Sequence, residues 1–255
     1  MAVTTQYDAL ASVYDFLLPE ALLEPAGSLA AFAPWLGDLD PGAPVLDCAC
    51  GPGHLAVGLA QAGFAVTATD ANRAMVRRAS ELAERHGVEL TAEPLRWDQL
   101  DQRGWNGRFA AVFCVGNSLA HAEASRGRRR ALGGMARVLR PDGRLLLTSR
   151  NWEAIKAAGS RLTVGDRVVV RGARRGVVVY GWSLPDDWEA RHRLDIAVAL
   201  LDMSGAVEAV TEELAFWPFR REQLLDELSG VGLRVEATTY ADAADSYLVV
   251  ARRSD

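Results

Sequence analysis

Apolar runs alternate with amphipathic stretches over the first 150 residues of the chain. Five apolar runs are predicted to be strands, near residues 43–49, 64–70, 88–95, 109–115 and 143–150. Three stretches with helical periodicity lie between them, near residues 54–62, 72–86 and 126–139. This alternation predicts an α/β fold, in which helices cover both faces of a doubly wound, mostly parallel sheet.

Short signals mark where some of these elements begin and end. Asn72 is a suitable N-cap for the second helix, and Gly87 is predicted to end it. The sequence Arg140–Gly143 predicts a turn between the third helix and the fifth strand.

The pattern changes after Arg150. Residues 163–217 carry β-branched and alternating runs, with hairpin-like breaks at 172–176 and 202–205, and they predict an inserted antiparallel sheet. Farther on, a helical pattern is found at 221–229, and runs at 233–238 and 246–250 predict a hairpin that completes the main sheet. Residues 6–36 are predicted to form a helical cap, since their aromatic residues are spaced to face one side.

Composition and charge narrow the class of partner. The chain of 255 residues has a formal net charge of −5, which gives no electrostatic footprint for nucleic acid or for an anionic membrane. No apolar run reaches membrane-spanning length, and the N-terminus lacks the pattern of a signal peptide. Three cysteines, two of them too close for a disulfide, favour a reducing, cytoplasmic location. The sequence leaves open whether the protein forms a homo-oligomer.

The first predicted strand ends in a turn suited to a nucleoside ligand. Asp47 precedes Gly51 and Gly53, a helix follows, and the second strand ends in Asp70. The glycines let the backbone approach a ligand, and Asp70 can accept hydrogen bonds from a ribose. The same turn fits a dinucleotide fingerprint from Gly51 onwards, or a strand–helix turn without a ligand. However, a carboxylate at position 47 would repel a diphosphate and would attract the cationic amino-acid end of S-adenosylmethionine.

On these residues the chain resembles the class I S-adenosylmethionine-dependent methyltransferases. Asp47, Gly51 and Gly53 match the turn of that family, and Ala49 replaces its first glycine. The chain is most similar to the glycine and sarcosine N-methyltransferases, over roughly residues 6–155. The matching segments are Gln6-Tyr7, Val45 to Gly53, Gly63 to Ala71, Trp97, Gly116 to His121, Arg140 to Leu146 and Arg150 to Trp152, with a weak continuation at Phe216 to Pro218.

The resemblance implies a Rossmann-like methyltransferase fold, S-adenosyl-L-methionine as cofactor and a small-molecule acceptor. It implies three parts: a helical lid (1–41), a cofactor-binding domain (42–150 and 219–255), and an inserted sheet that covers the substrate (151–218). The cofactor-binding residues that it implies are Tyr7, Tyr14, Asp47, Ala49, Gly51, Gly53, Asp70, Ala71, Trp97, Val115 and Ser118. Of these, Asp70 would bind both ribose hydroxyls, the backbone and ring edge of Trp97 would meet the adenine, and the two tyrosines would close on the methionine moiety.

Three residues at strand ends are implied to serve catalysis. Asn117 would face the acceptor, and Arg150 would bind its carboxylate through a bidentate fork. His121 is either a proton acceptor with a pKa near neutrality or a structural histidine that holds its loop. The other histidines have no ligand spacing with the cysteines, so no metal site is expected.

Several positions depart from the glycine and sarcosine branch. Residues 22–27 contain no lid arginine for the cofactor carboxylate, and Arg96 stands where many relatives have an acidic residue or asparagine. The stretch Ala215–Pro218 lacks the tyrosine hydroxyls of the branch, while Trp182 and Trp188 indicate a larger or more apolar acceptor pocket.

The function that follows is N-methylation of an amino-acid-like amine. The alternatives are an O- or N-methyltransferase of a specialised metabolite, a nicotinamide-dependent oxidoreductase, and a non-catalytic S-adenosylmethionine-binding protein.

Overall fold

The computed structural model describes residues 6–202 and 205–254. Residues 1–5 of the expected lid, residues 203–204 of the hairpin break and residue 255 lie outside the described part.

The main sheet has seven strands in the order β11-β12-β5-β4-β1-β2-β3. Its strands are β1 (Pro44–Asp47), β2 (Ala65–Asp70), β3 (Thr91–Pro94), β4 (Phe109–Cys114), β5 (Leu139–Arg150), β11 (Leu233–Thr238) and β12 (Ser246–Arg253). The first five are parallel to one another, and the C-terminal hairpin joins β5 through the antiparallel strand β12. The doubly wound, mostly parallel sheet and its C-terminal hairpin are therefore confirmed.

Six α-helices accompany the strands in the described residues. They are α1 (Pro25–Ala30), α2 (His54–Gln61), α3 (Arg73–His86), α4 (Ala124–Val138), α5 (Trp152–Ala157) and α6 (Arg221–Ser229). Asn72 caps α3 as predicted, since its side chain accepts hydrogen bonds from the backbone N–H groups of Ala74 and Met75, and Gly87 ends that helix in the left-handed conformation.

The predicted turn at Arg140–Gly143 is instead an irregular part of β5. Phe109 pairs with Leu139 but Ala111 pairs with Arg144, so the intervening residues of β5 form a wide bulge against β4. The proline and the glycine disturb the ladder without ending the strand.

The region after Arg150 forms a second, antiparallel sheet, which confirms the predicted insertion. Its strands are β6 (Arg161–Val164), β7 (Val169–Arg171), β8 (Arg174–Ser183), β9 (His192–Leu201) and β10 (Val207–Phe216). They follow the order β10-β9-β8-β6, and β7 also pairs with β8.

Residues 6–36, which were predicted to form a helical cap, are built from short helical segments. They form α1 and three 3-10 helices, at Leu10–Leu17, Glu20–Leu22 and Ala33–Trp35. Prolines at 19, 25 and 34 interrupt this N-terminal segment, because proline has no amide donor and disfavours helix in the preceding residue.

The start of this segment lies between the two sheets. Carboxylate oxygens of Glu212, on β10, accept from the backbone N–H groups of Tyr7, Ala9 and Leu10. At the other end, Arg171 of β7 donates to the carbonyl oxygens of Asp15 and Leu18, both at 2.9 Å.

Candidate functional site

The carboxyl ends of four neighbouring strands bring the expected site residues to one edge of the main sheet. Asp47 ends β1, Asp70 ends β2 and Arg150 ends β5, while Asn117 follows β4. Because β5, β4, β1 and β2 are adjacent in the sheet, these side chains share the region where open α/β sheets place their ligands.

Two glycines shape the turn after β1. Both have positive φ, 51° at Gly51 and 93° at Gly53, a region that L-residues with side chains rarely adopt. A Cβ at Gly53 would lie 2.7 Å from Cα of Ala79, so α3 packs directly on this backbone. A Cβ at Gly51 would meet no atom within 4 Å, so this glycine borders open space on the ligand side.

Asp70 is held by backbone donors on both sides. Its Oδ1 accepts from Asn72 N–H at 2.8 Å and its Oδ2 from Gly51 N–H at 2.9 Å. Burial raises the pKa of this carboxyl, and the two N–H groups act in the opposite direction. Asn72 caps the helix, so Asp70 does not serve as the helix cap, and each of its oxygens keeps acceptor capacity for a ligand hydroxyl.

Asp47 is fully buried and has no hydrogen-bond partner for either carboxylate oxygen among the described residues. Burial raises its pKa to about 7; the Ala49 N–H, which lies near the carboxylate without meeting hydrogen-bond geometry, lowers the pKa, and the Asp70 charge raises it. A buried carboxylate without a partner is costly unless a cation or a donor meets it. This position therefore has the chemistry to receive a positively charged group.

His54 is a residue of this turn that the sequence analysis did not select. It begins α2 directly after Gly53, and neither ring nitrogen has a hydrogen-bond partner in the described chain. Its Nε2 lies 3.9 Å from Oδ1 of Asp15, beyond hydrogen-bond distance, and that oxygen accepts a hydrogen bond from Arg78 at 2.6 Å. The available signal was its position, since a titratable side chain directly follows the second glycine of the turn.

Trp97 lies beside the same turn, but its ring donor is already used. Nε1 donates to the carbonyl oxygen of Cys48 at 2.8 Å. The indole N–H is thus committed within the protein, and only backbone groups of this residue are left for an adenine. The remaining small positions surround the turn: Ala49 and Val115 are half-buried, and Ala71 is exposed.

The expectation that His121 has a pKa near neutrality is wrong. Burial lowers the pKa of this imidazole to about 4, although the Ala215 carbonyl acts against that shift. Nδ1 donates to the Ala215 oxygen at 2.9 Å, so in the neutral ring Nε2 accepts from the Tyr7 hydroxyl at 3.0 Å. Both nitrogens are occupied, and His121 joins the N-terminal segment to β10 as a structural histidine.

The loop after β4 presents Asn117 in an unusual backbone conformation. Its φ is 65°, in the left-handed region, and its Oδ1 is buried without a partner in the described residues. The Gly116 N–H is held by Thr148 Oγ1 at 2.9 Å, and the Ser118 hydroxyl donates to the Val115 carbonyl at 2.6 Å. The loop is fixed by its neighbours, while the Asn117 amide oxygen remains free to accept from a ligand.

Arg150 has no ion pair or side-chain hydrogen bond among the described residues. Its guanidinium carbon lies 5.8 Å from the centre of the Trp182 ring. The Arg150 charge lowers the pKa of Tyr7, Tyr14 and Tyr180, although burial, the largest cause, raises the pKa of all three hydroxyls and brings that of Tyr14 to about 12. An unpaired cation therefore stands among three tyrosines.

The structure adds Tyr180 to the residues near Arg150, and it places Trp188, which was expected in the acceptor pocket, elsewhere. The sequence analysis found the tyrosine hydroxyls missing at Ala215–Pro218 and did not select Tyr180, yet alternation along β8 places Tyr180 and Trp182 on the face that meets Arg150. Trp188 instead lies between Lys156 and Arg220, 4.8 and 5.1 Å from its ring centre. Tyr7 and Tyr14 do lie together, with ring centres 5.7 Å apart.

Among the described residues, no group of three or more histidine, cysteine or acidic side chains could hold a metal ion. None of the described helices has both the length and the apolar composition needed to cross a bilayer.

Comparisons with known proteins agree with this geometry. A family model described as a methyltransferase domain matches residues 45–143. A glycine/sarcosine N-methyltransferase from Aphanothece halophytica is 31% identical over 208 residues, which cover 80% of this chain and 70% of that protein. The chain belongs to the S-adenosylmethionine-dependent methyltransferases.

Two further proteins show how far the likeness extends. The glycine/sarcosine N-methyltransferase of Halorhodospira halochloris is 35% identical to this methyltransferase over 111 residues, which are 44% of this chain and only 41% of that protein. The sugar N-methyltransferase KedS8 from Streptoalloteichus sp ATCC 53650 shares the fold, with a TM-score of 0.72, 24% identity and coverage of 100% of this chain and 99% of that one.

The residues of this methyltransferase fit the cofactor of its family, S-adenosylmethionine. The unpartnered Asp47 carboxylate matches a cationic amino-acid end, and Gly51 leaves its side of the turn open. Asp70 retains lone pairs toward the same space. The expected cofactor is thus confirmed at the level of the family, and the role of each residue is a proposal.

Proposed function

We propose that this methyltransferase transfers the methyl group of S-adenosylmethionine to the amine of a small, amino-acid-like acceptor. The observation that carries the proposal is Arg150, a guanidinium without an ion pair in the described residues, whose charge acts on three tyrosines. A carboxylate bound there would receive two parallel N–H donors, a geometry that arginine provides and lysine does not.

The proposed cofactor contacts follow the strand ends. Asp70 accepts from the ribose hydroxyls, and Asp47 meets the ammonium of the amino-acid tail. His54 donates to the carboxylate of that tail, since residues 22–27 supply no arginine for this purpose. Backbone groups near Trp97 recognise the adenine, while Tyr7 and Tyr14 close the methionine side. Ala49, Gly51, Gly53, Ala71, Val115 and Ser118 complete the proposed set.

The proposed acceptor contacts come from both sheets. Arg150 binds the acceptor carboxylate from the main sheet, and the Tyr180 hydroxyl donates to the same group from the inserted sheet. The Asn117 Oδ1, buried and without a partner, accepts an N–H of the amine and directs its lone pair toward the methyl group.

The chemistry asks little of the protein beyond positioning. Bound S-adenosylmethionine supplies a methyl group on a sulfonium, whose departure leaves a neutral thioether. The amine lone pair forms the new N–C bond, and the extra proton is then lost to solvent. No base is needed before attack by a neutral amine, which agrees with a low pKa and two occupied nitrogens at His121. The N-terminal segment and the inserted sheet exclude water and hold the reacting atoms in line.

The division into a lid (1–41), a cofactor domain (42–150 and 219–255) and a substrate cover (151–218) is part of the same proposal, as is a cytoplasmic location. The support for the division is that the strands of 151–218 build a sheet of their own.

An acceptor panel with a matched variant tests the proposal. Formation of adenosylhomocysteine is measured with glycine, sarcosine, larger amino acids and amino sugars, for the wild type and for Arg150→Ala. We expect turnover with a carboxylate-bearing amine and a KM at least tenfold higher in the variant, while Arg126→Ala, an exposed arginine of α4, leaves KM unchanged.

Two outcomes would contradict the proposal. If only amino sugars are turned over, with the same KM in the wild type and in Arg150→Ala, the protein is better described as a methyltransferase of specialised metabolites. Tight binding of the cofactor without turnover of any acceptor would favour a non-catalytic binding protein.

A further inference from the structure

The inserted sheet has one face turned toward the site and one outer face, which carries exposed apolar side chains at its margins and half-buried ones at its centre. Along β9, His192, Leu194, Ile196, Val198 and Leu200 are buried and point inward, while the intervening residues point outward. The ladder registers place on the outer face Leu162, Val164, Val170, Val177, Val179, Gly181, Ala197, Ala199, Leu201, Val207 and Ala209.

This outer face is apolar and open. The exposed fraction is 72% at Leu162, 58% at Val164, 59% at Val170 and 65% at Val207. Of the large hydrophobic residues that are exposed in the described part of the chain, only Leu22, with an exposed fraction of 37%, lies outside the inserted region. Contiguous exposed apolar surface of this kind marks an interaction site.

Charged side chains are confined to the ends of the face. Arg175 lies at one end. At the other end, Arg193 forms ion pairs with Asp195 and Glu213. An apolar centre with a polar rim is the anatomy of a protein–protein interface.

The area is sufficient for a specific dimer. Strands β8, β9 and β10 contain 10 residues each, which corresponds to a length of about 34 Å, and four strands span about 19 Å in width. The footprint is therefore roughly 650 Å² per copy, or about 1,300 Å² for two copies, which lies within the range of stable interfaces.

The face is also complementary to itself. Leu162, Val164, Val177 and Val179 make the half formed by β6 and β8 tall, whereas Ala197, Ala199 and Ala209 make the middle of the half formed by β9 and β10 low. Leu201 and Val207 rise again at one end of that half. A two-fold axis that runs along the strands between β8 and β9 lays the tall half of each copy over the low half of the other. Two sheets then pack in the aligned manner of a sandwich.

We propose that this face is the interface of a homodimer, in which a second copy of the chain covers the inserted sheet. The substrate-covering sheets of the two copies form the centre of the dimer, and their sites open on opposite sides of it. This assignment does not depend on the acceptor, because the face lies on the side of the sheet opposite Tyr180 and Trp182.

Sedimentation velocity from 1 to 100 µM tests the proposal with the full chain. We expect the wild type to sediment at twice its chain mass of 27.6 kDa. Ala197→Glu places two carboxylates near the axis, and its dimer dissociation constant should rise at least 100-fold, with unchanged circular dichroism and adenosylhomocysteine affinity. Leu22→Glu makes the same kind of change outside the face and should remain dimeric.

A conservative variant protects the test against misfolding. The double variant Val164→Thr/Val179→Thr keeps the β-branched shape and the strand propensity, so it should fold even if Ala197→Glu does not. Its dimer dissociation constant should rise at least tenfold. A wild type that is monomeric at 100 µM overturns the proposal, whether or not another protein binds the face. Folded face variants that dimerise as tightly as the wild type overturn it equally.

Discussion

The substitution Asp47→Asn should change stability and cofactor affinity in opposite directions. Asp47 is fully buried, its oxygens have no hydrogen-bond partner in the described residues, and its pKa is raised to about 7. A carboxyl group whose pKa is higher in the folded state keeps its proton in the folded protein at pH values where the unfolded chain has lost it. Its contribution is therefore favourable below about pH 4 and is lost as the pH rises toward 7.

The size of this effect follows from the shift. The pKa rises from 3.8 to about 7, roughly three units, and each unit corresponds to about 1.4 kcal/mol. Without ligand, ionised Asp47 thus costs about 4 kcal/mol at pH 8. Asparagine cannot ionise, so urea unfolding should show the variant gaining up to about 4 kcal/mol on the wild type between pH 4 and pH 8.

Calorimetry measures the predicted change in cofactor affinity and the number of protons released on binding. At pH 6 Asp47 is about 90% protonated in the free protein, and an ammonium beside it favours the carboxylate. Binding of adenosylhomocysteine should therefore release close to one proton at pH 6 and little at pH 8, as read from buffers with different ionisation enthalpies. In Asp47→Asn this release disappears and the affinity falls at least tenfold. 5′-Methylthioadenosine lacks the amino-acid tail, so its affinity should be nearly the same in both proteins.

Two results would refute this reasoning. One is a variant whose stability follows the wild type between pH 4 and pH 8. The other is an equal loss of affinity for adenosylhomocysteine and methylthioadenosine, which would place Asp47 away from the amino-acid tail. Asp226→Asn, at an exposed position of α6, is the matched control and should change neither quantity.

Three further predictions follow from contacts in the structure. His54→Gln should weaken adenosylhomocysteine binding about tenfold, the loss of one hydrogen bond to a charged group, with methylthioadenosine unaffected; equal losses would mean that His54 only supports the turn. Tyr180→Phe should raise the acceptor KM about threefold to tenfold in steady-state assays at unchanged cofactor affinity, and an unchanged KM would remove Tyr180 from the acceptor site. Glu227→Gln should lower the free energy of unfolding by about 3 kcal/mol, because Arg128, bound to Glu227 at 2.9 Å with both side chains fully buried, loses its buried counter-charge and keeps only the half-exposed Glu189 at 3.5 Å; urea denaturation measures this, and Glu222→Gln on the exposed side of α6 should show no comparable loss.

The main sheet was readable from the sequence because its central strands are buried on both faces. All six residues of β4, Phe109–Cys114, are buried, so a continuous apolar run identifies the strand with almost no ambiguity. The turn at Asp47–Gly53 was equally readable from the sequence. The two glycines that adopt positive φ, and the acid before them, can be recognised by residue type alone.

The N-terminal segment and the acceptor site depend on contacts distant in sequence. Glu212 and Arg171 hold the segment near Tyr7 and Asp15 across more than 150 positions. The pKa of His121 depends on burial beside Tyr7 and Ala215, and Tyr180 reaches Arg150 only through the register of an inserted sheet. None of these partners is indicated by local periodicity or by a motif.

The backbone of the turn explains why a glycine-rich strand–helix unit of this kind serves S-adenosylmethionine and not a dinucleotide. A diphosphate needs free N–H donors at the turn, but the Gly51 N–H is donated to Asp70 and the Asn72 N–H to the other oxygen of the same carboxylate. The Asp47 carboxylate of the same turn has no hydrogen-bond partner in the described residues. The backbone donors that surround Asp70 are thus already paired with an anion of the protein, and the unpartnered Asp47 acceptor requires a cation or a donor. A zwitterionic tail with an ammonium meets that requirement, and two phosphates would add negative charge beside two carboxylates in a buried site, where such repulsion is screened least.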